Sequence, residues 1–299
     1  ILLVFGNTSE ERHCERFHQF WRGTVAYMTR GPEDVYDDAA VNAWIQDDPD
    51  PATRAELTEL LSAAGSHGER AQAARRALSD AFSGTLAFGT AGLRGRLGGG
   101  PNRMNRVVVI RAAAGLSEYL KSRLGEGFSV VIGYDARHNS EQFARDTAAV
   151  VTGAGGRAIL FESHCPTPVL AFALRRLEAD AGVMVTASHN PPQDNGYKVY
   201  LGGRAVTDSG QGAQIVPPYD SQIAAAIDAV GPVGSVPRPQ SGWETVDPGI
   251  REEYIERAAQ AARMTAPTPV RIVLTAMHGV GGATCREVLA RAGFTDVVE

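Results

Sequence analysis

A serine and a histidine stand side by side at Ser188 and His189, separated by Thr186 and Ala187 from the apolar run Gly182-Val183-Met184-Val185. That run reads as a buried parallel strand. It delivers both side chains at its carboxyl end, where open α/β sheets place ligand chemistry. Pro191 and Pro192 can continue neither a ladder nor a helix, which puts the serine on a loop. Asp194-Asn195-Gly196 turns the chain, and Tyr197-Lys198-Val199-Tyr200-Leu201 reads as a second strand that returns Lys198 toward that loop. A loop serine is a weak nucleophile unaided, and the bare tripeptide also suits a polar turn with a capping serine. The sequence holds only two lysines, Lys121 and Lys198, against many arginines, which singles out the lysine that falls at the candidate site.

A second stretch with chemical potential is Phe88-Gly89-Thr90-Ala91-Gly92-Leu93-Arg94-Gly95, followed by Gly98-Gly99-Gly100-Pro101-Asn102-Arg103-Met104-Asn105. Dense glycine lets backbone N–H groups approach an anion, and Arg94 can add a bidentate phosphate contact. The spacing is neither a Walker A loop nor a G-x-G-x-x-G fingerprint, and a plain flexible loop is the alternative. Asp135-Ala136-Arg137 ends another predicted strand and suits either a structural salt bridge or a substrate contact. His278 lies in a later glycine loop, where it either packs the loop or touches substrate. His13, Cys14 and His18 make an incomplete zinc set. Asp47-Asp48-Pro49-Asp50-Pro51 reads as a turn and helix cap rather than a metal site.

The elements around these stretches alternate. Val41 to Phe82 is helical in pattern, and Val109 to Leu120 follows a helical face. Phe128–Tyr134 is a strand, Ser140–Val151 a helix, Arg157–Phe161 a strand and Thr167–Leu177 a helix leading to the strand before Ser188. This order predicts a mixed, mainly parallel, doubly wound α/β sheet. Pro217 to Val230 gives a further helix, Gly231 to Gly249 reads as an interdomain linker, and Val270–Leu274 with Thr284–Ala292 repeats the strand–glycine loop–helix order. The expected division is a poorly structured extension over 1–40, a first α/β domain over 41–230, a linker over 231–249 and the start of a second similar domain over 250–299.

Thr186-Ala187-Ser188-His189-Asn190-Pro191-Pro192, with Asn195-Gly196-Tyr197-Lys198, resembles the phosphoserine loop of the phosphohexomutases, the phosphoglucomutase and phosphomannomutase family. Gly89-Thr90-Ala91-Gly92-Leu93-Arg94-Gly95 with Asn102-Arg103-Met104-Asn105 resembles their opening active-site loop, notably in the branch with pentose-phosphate and bisphosphate-forming members. The resemblance implies that Ser188 carries a phosphoryl group between C1 and C6 of a hexose phosphate, by way of a sugar 1,6-bisphosphate. It makes Lys198 the general base or acid and His189 a loop support or proton shuttle, and places Thr90, Arg94, Asn190, Asp135 and Arg137 as substrate or phosphate contacts. It implies Mg²⁺, bound through the oxygen on Ser188, with carboxylate ligands beyond the C-terminus. The family's acidic metal loop and its two later substrate loops have no counterpart here. The sequence is therefore expected to be the N-terminal part of a mutase with little turnover alone. A phosphopentomutase, a glucose-1,6-bisphosphate synthase and a non-catalytic sugar-phosphate-binding module are the other readings. A serine hydrolase lacks the required G-x-S-x-G elbow.

The net charge of −5 gives no basic stripe for nucleic acid, and no apolar run is long enough to span a membrane. The three cysteines, Cys14, Cys165 and Cys285, are scattered outside any C-x-x-C pattern, which fits a reduced, cytoplasmic setting. Oligomeric state is not encoded in any of these features.

Overall fold

The computed structural model describes residues 2–5, 36–262 and 270–299. A short strand, β1 (Leu2–Phe5), is followed by three helices, α1 (Asp38–Asp47), α2 (Pro51–Ala64) and α3 (Glu69–Ala81). The acidic run between α1 and α2 is a cap. Asp50 accepts from the Ala52 amide at 2.9 Å with Pro51 opening the helix, and Asp48 accepts from Thr53 Oγ1 at 2.6 Å. Val41, Leu57 and Leu78 form a small core beneath these helices.

Ten further elements build the main domain: β2 (Leu93–Arg96), α4 (Arg106–Leu124), β3 (Ser129–Tyr134), α5 (Ser140–Gly153), β4 (Arg157–Leu160), α6 (Thr167–Arg176), β5 (Ala181–Val185), β6 (Asp194–Leu201), α7 (Tyr219–Asp228) and β7 (Glu244–Thr245). Their six strands lie in the order β2-β6-β5-β3-β4-β7. β5, β3, β4 and β7 are parallel, whereas β6 is antiparallel to both β5 and β2. This is the mixed, doubly wound α/β sheet that the strand–helix alternation predicts.

Strand periodicity decides what faces what, because alternate residues point to opposite sides. Val130, Ile132, Val183, Val185, Tyr197 and Val199 join the core under α4, α5 and α7. Val131, Met184 and Tyr200 join the core under α6. Lys198 therefore lies on the α6 side, between Gly196 and Tyr200. Leu93 packs into the first core, so Arg94 takes the α6 side as well. Asp135 and Thr186 continue the same parity beyond Gly133 and Met184. Four of the residues singled out thus share one face at one end of the sheet.

Two expectations about the domain edges change. The predicted linker, 231–249, is tied into the first domain: Asp47 accepts the amides of Val233 and Gly234 at 2.8 and 2.9 Å. Glu244–Thr245 then adds β7 to the sheet beside β4, fixed by two Arg157–Glu244 bonds at 2.7 Å. In the predicted extension, Leu2–Phe5 pair with a later strand and Asp38 opens α1, while residues 6–35, including His13, Cys14 and His18, lie outside the described residues.

The last region holds α8 (Gly249–Ala262), β8 (Arg271–Leu274), α9 (Gly282–Arg291) and β9 (Val297–Val298) in a small sheet of order β1-β8-β9. α8 also belongs to the main domain, since Ile250 enters the α6 core and Tyr254 meets Phe172 edge-on with centroids 5.7 Å apart. Among the described residues no helix is long and apolar enough to cross a membrane.

Candidate active site

Ser188 follows β5 at the carboxyl edge of the sheet, exposed, with φ of 61°. A non-glycine residue in this left-handed region costs about 1–2 kcal/mol, so its surroundings must hold it there. Locally, the Ser188 amide donates to Thr186 Oγ1 at 2.9 Å and the Asn190 amide donates to the Ala187 carbonyl at 3.1 Å. His189 is exposed beside it.

The loop's second support comes from across the sheet. Arg137 donates from Nη1 to the carbonyls of Pro191 (2.8 Å) and Asp194 (2.9 Å). From Nη2 it donates to those of Ser188 (2.9 Å) and Asn190 (2.7 Å). Its Nε lies 3.4 Å from Asp135 Oδ2. A guanidinium has five N–H donors; four of them are used on loop carbonyls, and the fifth faces the Asp135 carboxylate as an ion pair. Arg137 is thus engaged with the loop, which is the structural one of the two roles that the sequence leaves open. Asp135 is likewise engaged, accepting from Ser140 Oγ at 2.7 Å and from the Arg137 amide at 3.1 Å. The Asn190 side-chain amide donates to Asp194 Oδ2 at 2.9 Å, so it closes the loop rather than reaching outward.

Lys198 and Arg94 are the cations left over. Lys198 is 9 % exposed. Burial pulls its pKa below the ordinary lysine value, the Arg94 charge lowers it further, and Asp135 opposes the shift. Arg94 pairs in register with Gly196, whose carbonyl accepts the Thr186 amide at 3.0 Å. A Cβ at Gly196 would stand 3.1 Å from Arg94 Cγ, so the arginine stem crosses this glycine. Arg94 Nε is buried without a hydrogen-bond partner, and neither cation forms an ion pair with a carboxylate among the described residues. Two unneutralised cations, one of them buried, are unfavourable unless an anion joins them.

The glycine loop reaches the same place. Gly92 has φ of 73°, and a Cβ there would fall 2.0 Å from the Tyr197 carbonyl oxygen and 3.0 Å from Lys198 Cα. Only glycine lets this turn lie against the backbone that carries Lys198. Thr90 is exposed at the turn's tip, with its carbonyl accepting from Gln214 Nε2. Asn105 secures the far end of the stretch. It caps α4 through Val108 at 3.0 Å and donates to the carbonyls of Gly98 and Gly100 at 2.9 and 2.8 Å.

The sequence reading places Asn105 and Asn195 in its motifs and Ser140 at a helix start but gives none of them a role. Buried Asn195 donates to the His138 carbonyl and Ser140 Oγ at 2.9 and 3.0 Å, linking the start of β6 to Asp135 through Ser140. Its Asn-Gly spelling signals a turn, yet β6 already begins at Asp194. His278 is exposed in the loop after β8. There the Met277 amide donates to Thr275 Oγ1 at 3.1 Å and φ is 52°, the same turn as at Ser188 but without a hydroxyl at its tip.

Residues 85–231 match the model of the phosphoglucomutase/phosphomannomutase alpha/beta/alpha domain I. A protein of Haemophilus influenzae named as a probable phosphomannomutase is 49% identical over 193 residues, covering 64% of this chain and 38% of that protein. The phosphoribomutase of Saccharomyces cerevisiae is 38% identical over 201 residues, covering 66% of this chain and 29% of that protein. A Pongo abelii phosphopentomutase is 33% identical over 270 residues, covering 83% and 41%. A Thermus thermophilus crystal structure solved under the phosphomannomutase name superposes with a TM-score of 0.57 at 28% identity, covering 72% of this chain and 45% of that one. The chain spans less than half the length of each of these relatives. Through residues 85–231, which match domain I of that family, the chain belongs to the phosphoglucomutase/phosphomannomutase family.

Proposed function

We propose that Ser188 is the phosphoryl carrier of a phosphosugar mutase. The observation that carries this reading is an exposed serine just past the end of β5, on the sheet edge where the paired strands β6 and β2 bring Lys198 and Arg94, two cations without carboxylate partners among the described residues. In the forward half-reaction the phosphoserine P–O bond breaks as a sugar hydroxyl oxygen bonds to phosphorus. Lys198 takes the hydroxyl proton, which its lowered pKa favours. Arg94 offsets charge on the transferring phosphoryl group. The departing Ser188 Oγ takes up a proton from solvent. In the return half-reaction it gives that proton to solvent as it bonds to the other phosphorus of the bisphosphate, the sugar O–P bond breaks, and Lys198 gives its proton back to the sugar oxygen. His189 supports the loop or relays that proton.

Mg²⁺ is an element of the family reading, and the residues here do not fit it by themselves. Asp135 and Asp194 are committed to internal hydrogen bonds, and no cluster of three His, Cys, Asp or Glu side chains occurs among the described residues. No step above runs through a metal. For the same reason we expect little complete mutase turnover from these 299 residues alone. The sugar is a hexose phosphate in this reading, activated by its 1,6-bisphosphate. The phosphoribomutase and phosphopentomutase relatives favour a pentose phosphate as the second choice. We place the protein in the cytoplasm.

Titration with glucose 1,6-bisphosphate, followed by intact mass and calorimetry, tests the proposal. Covalent gain of one phosphoryl group supports the carrier. Reversible binding with no mass change points instead to a sugar-phosphate-binding module.

A further inference from the structure

Arg137 stands outside the reaction above, yet it is the most fully engaged side chain near Ser188. Its side chain is 14 % exposed, all four of its hydrogen bonds go to loop carbonyls, and its Nε pairs with Asp135. Those carbonyls belong to Ser188, Asn190, Pro191 and Asp194, so one planar group spans the loop from its serine to the first residue of β6. The trans peptide sets C=O and N–H on opposite sides. Drawing the Ser188 carbonyl onto Arg137 therefore turns the His189 amide away from the guanidinium.

We infer that Arg137 is a positioning residue that fixes Ser188 in its left-handed conformation and thereby sets the direction in which its hydroxyl accepts and releases a phosphoryl group. The inference rests on the reading of Ser188 as the carrier. Three observations support it. Ser188 has φ of 61°, a conformation that needs external support. A planar fork can satisfy four converging carbonyls where a lysine ammonium, a point charge with three donors, cannot. Asp135 holds the guanidinium at Nε and is itself fixed by Ser140, which accepts from Asn195 of β6. The clamp is thus anchored to the strand that carries Lys198, so the nucleophile and the proton acceptor are held by one connected network.

The test uses the full chain and two variants, Arg137→Lys and Arg137→Ala, with glucose 1,6-bisphosphate as probe. A misplacement of about 1 Å costs about 100-fold in rate. We expect Arg137→Lys to retain the wild-type circular dichroism spectrum and to bind the bisphosphate within about threefold of wild type, while Ser188 is phosphorylated about 100-fold more slowly. Added guanidinium ion should recover at least about tenfold of the loss in Arg137→Ala, because it can refill the fork. A wild-type phosphorylation rate in Arg137→Lys, or weakened binding at an unchanged rate, overturns the positioning role. If the wild-type chain itself takes no phosphoryl group, the carrier reading fails separately. Amide exchange then decides the structural part. Exchange at Ser188 and Asn190 should be at least about tenfold faster in Arg137→Lys, and unchanged exchange there refutes the clamp.

Discussion

Lys198→Met should make the folded protein more stable while removing its chemistry. The lysine stem is buried, and methionine is close to it in length and flexibility, so most of the apolar contact survives. What disappears is a charge that burial and Arg94 both disfavour. Substitutions that relieve such functional strain typically return about 0.5–2 kcal/mol. The neighbouring Asp135 charge, which favours the ammonium, puts the expected gain near the lower half, about 1 kcal/mol. For a domain of this size that is about 2–4 °C in Tm. The sign with pH is also fixed. Lys198 has a lower pKa folded than unfolded, so the unfolded chain binds more protons between the lowered value and the ordinary value of 10.5. Wild-type stability therefore rises relative to the variant across that window, and the difference closes as pH passes 10.5. Urea titrations of both proteins at neutral pH and in steps up to that value measure this. A variant less stable than wild type at neutral pH, or a difference that does not narrow with pH, would refute the reasoning.

Three further outcomes are expected. Gly92→Ala would drive a methyl into the Tyr197 carbonyl at a positive φ, and should cost at least about 3 kcal/mol in urea denaturation while slowing phosphorylation of Ser188. Ser188→Gly should be more stable than Ser188→Ala by up to about 1 kcal/mol in thermal melts, because alanine keeps the left-handed strain and glycine does not. Asp146→Ala should cost about 2–3 kcal/mol by the same assay, since it removes the buried carboxylate that accepts twice at 2.7 Å from the partly exposed Arg106 between α4 and α5.

The parts of the fold that depend on apolar pattern were legible before any coordinates. The uninterrupted run before Ser188 reads as a buried strand because both faces of β5 are covered. The placement of Lys198 opposite that loop follows from one tight reversal and a period of two. Contacts made to the backbone were not legible. Arg137 acts on carbonyls 51 to 57 positions away, and carbonyls carry no sequence signature. Its neighbour in sequence, Asp135, invited the simpler salt-bridge or substrate reading. The proline-, glycine- and serine-rich stretch after Val230 reads as a linker from composition. It is tethered instead by one carboxylate, Asp47, some 186 residues earlier, and by a two-residue strand too short to show periodicity. In sequence Gly92 is one of many glycines, whereas its reason is a close approach to Tyr197 that only the three-dimensional register reveals.

The most direct measurement is the site of label after incubation with glucose 1,6-bisphosphate, read by peptide mass spectrometry in wild type and Ser188→Ala. The account predicts one phosphoryl group on Ser188 in the wild type and none in the variant. Equal labelling of both proteins, or label found only on another residue, would contradict it.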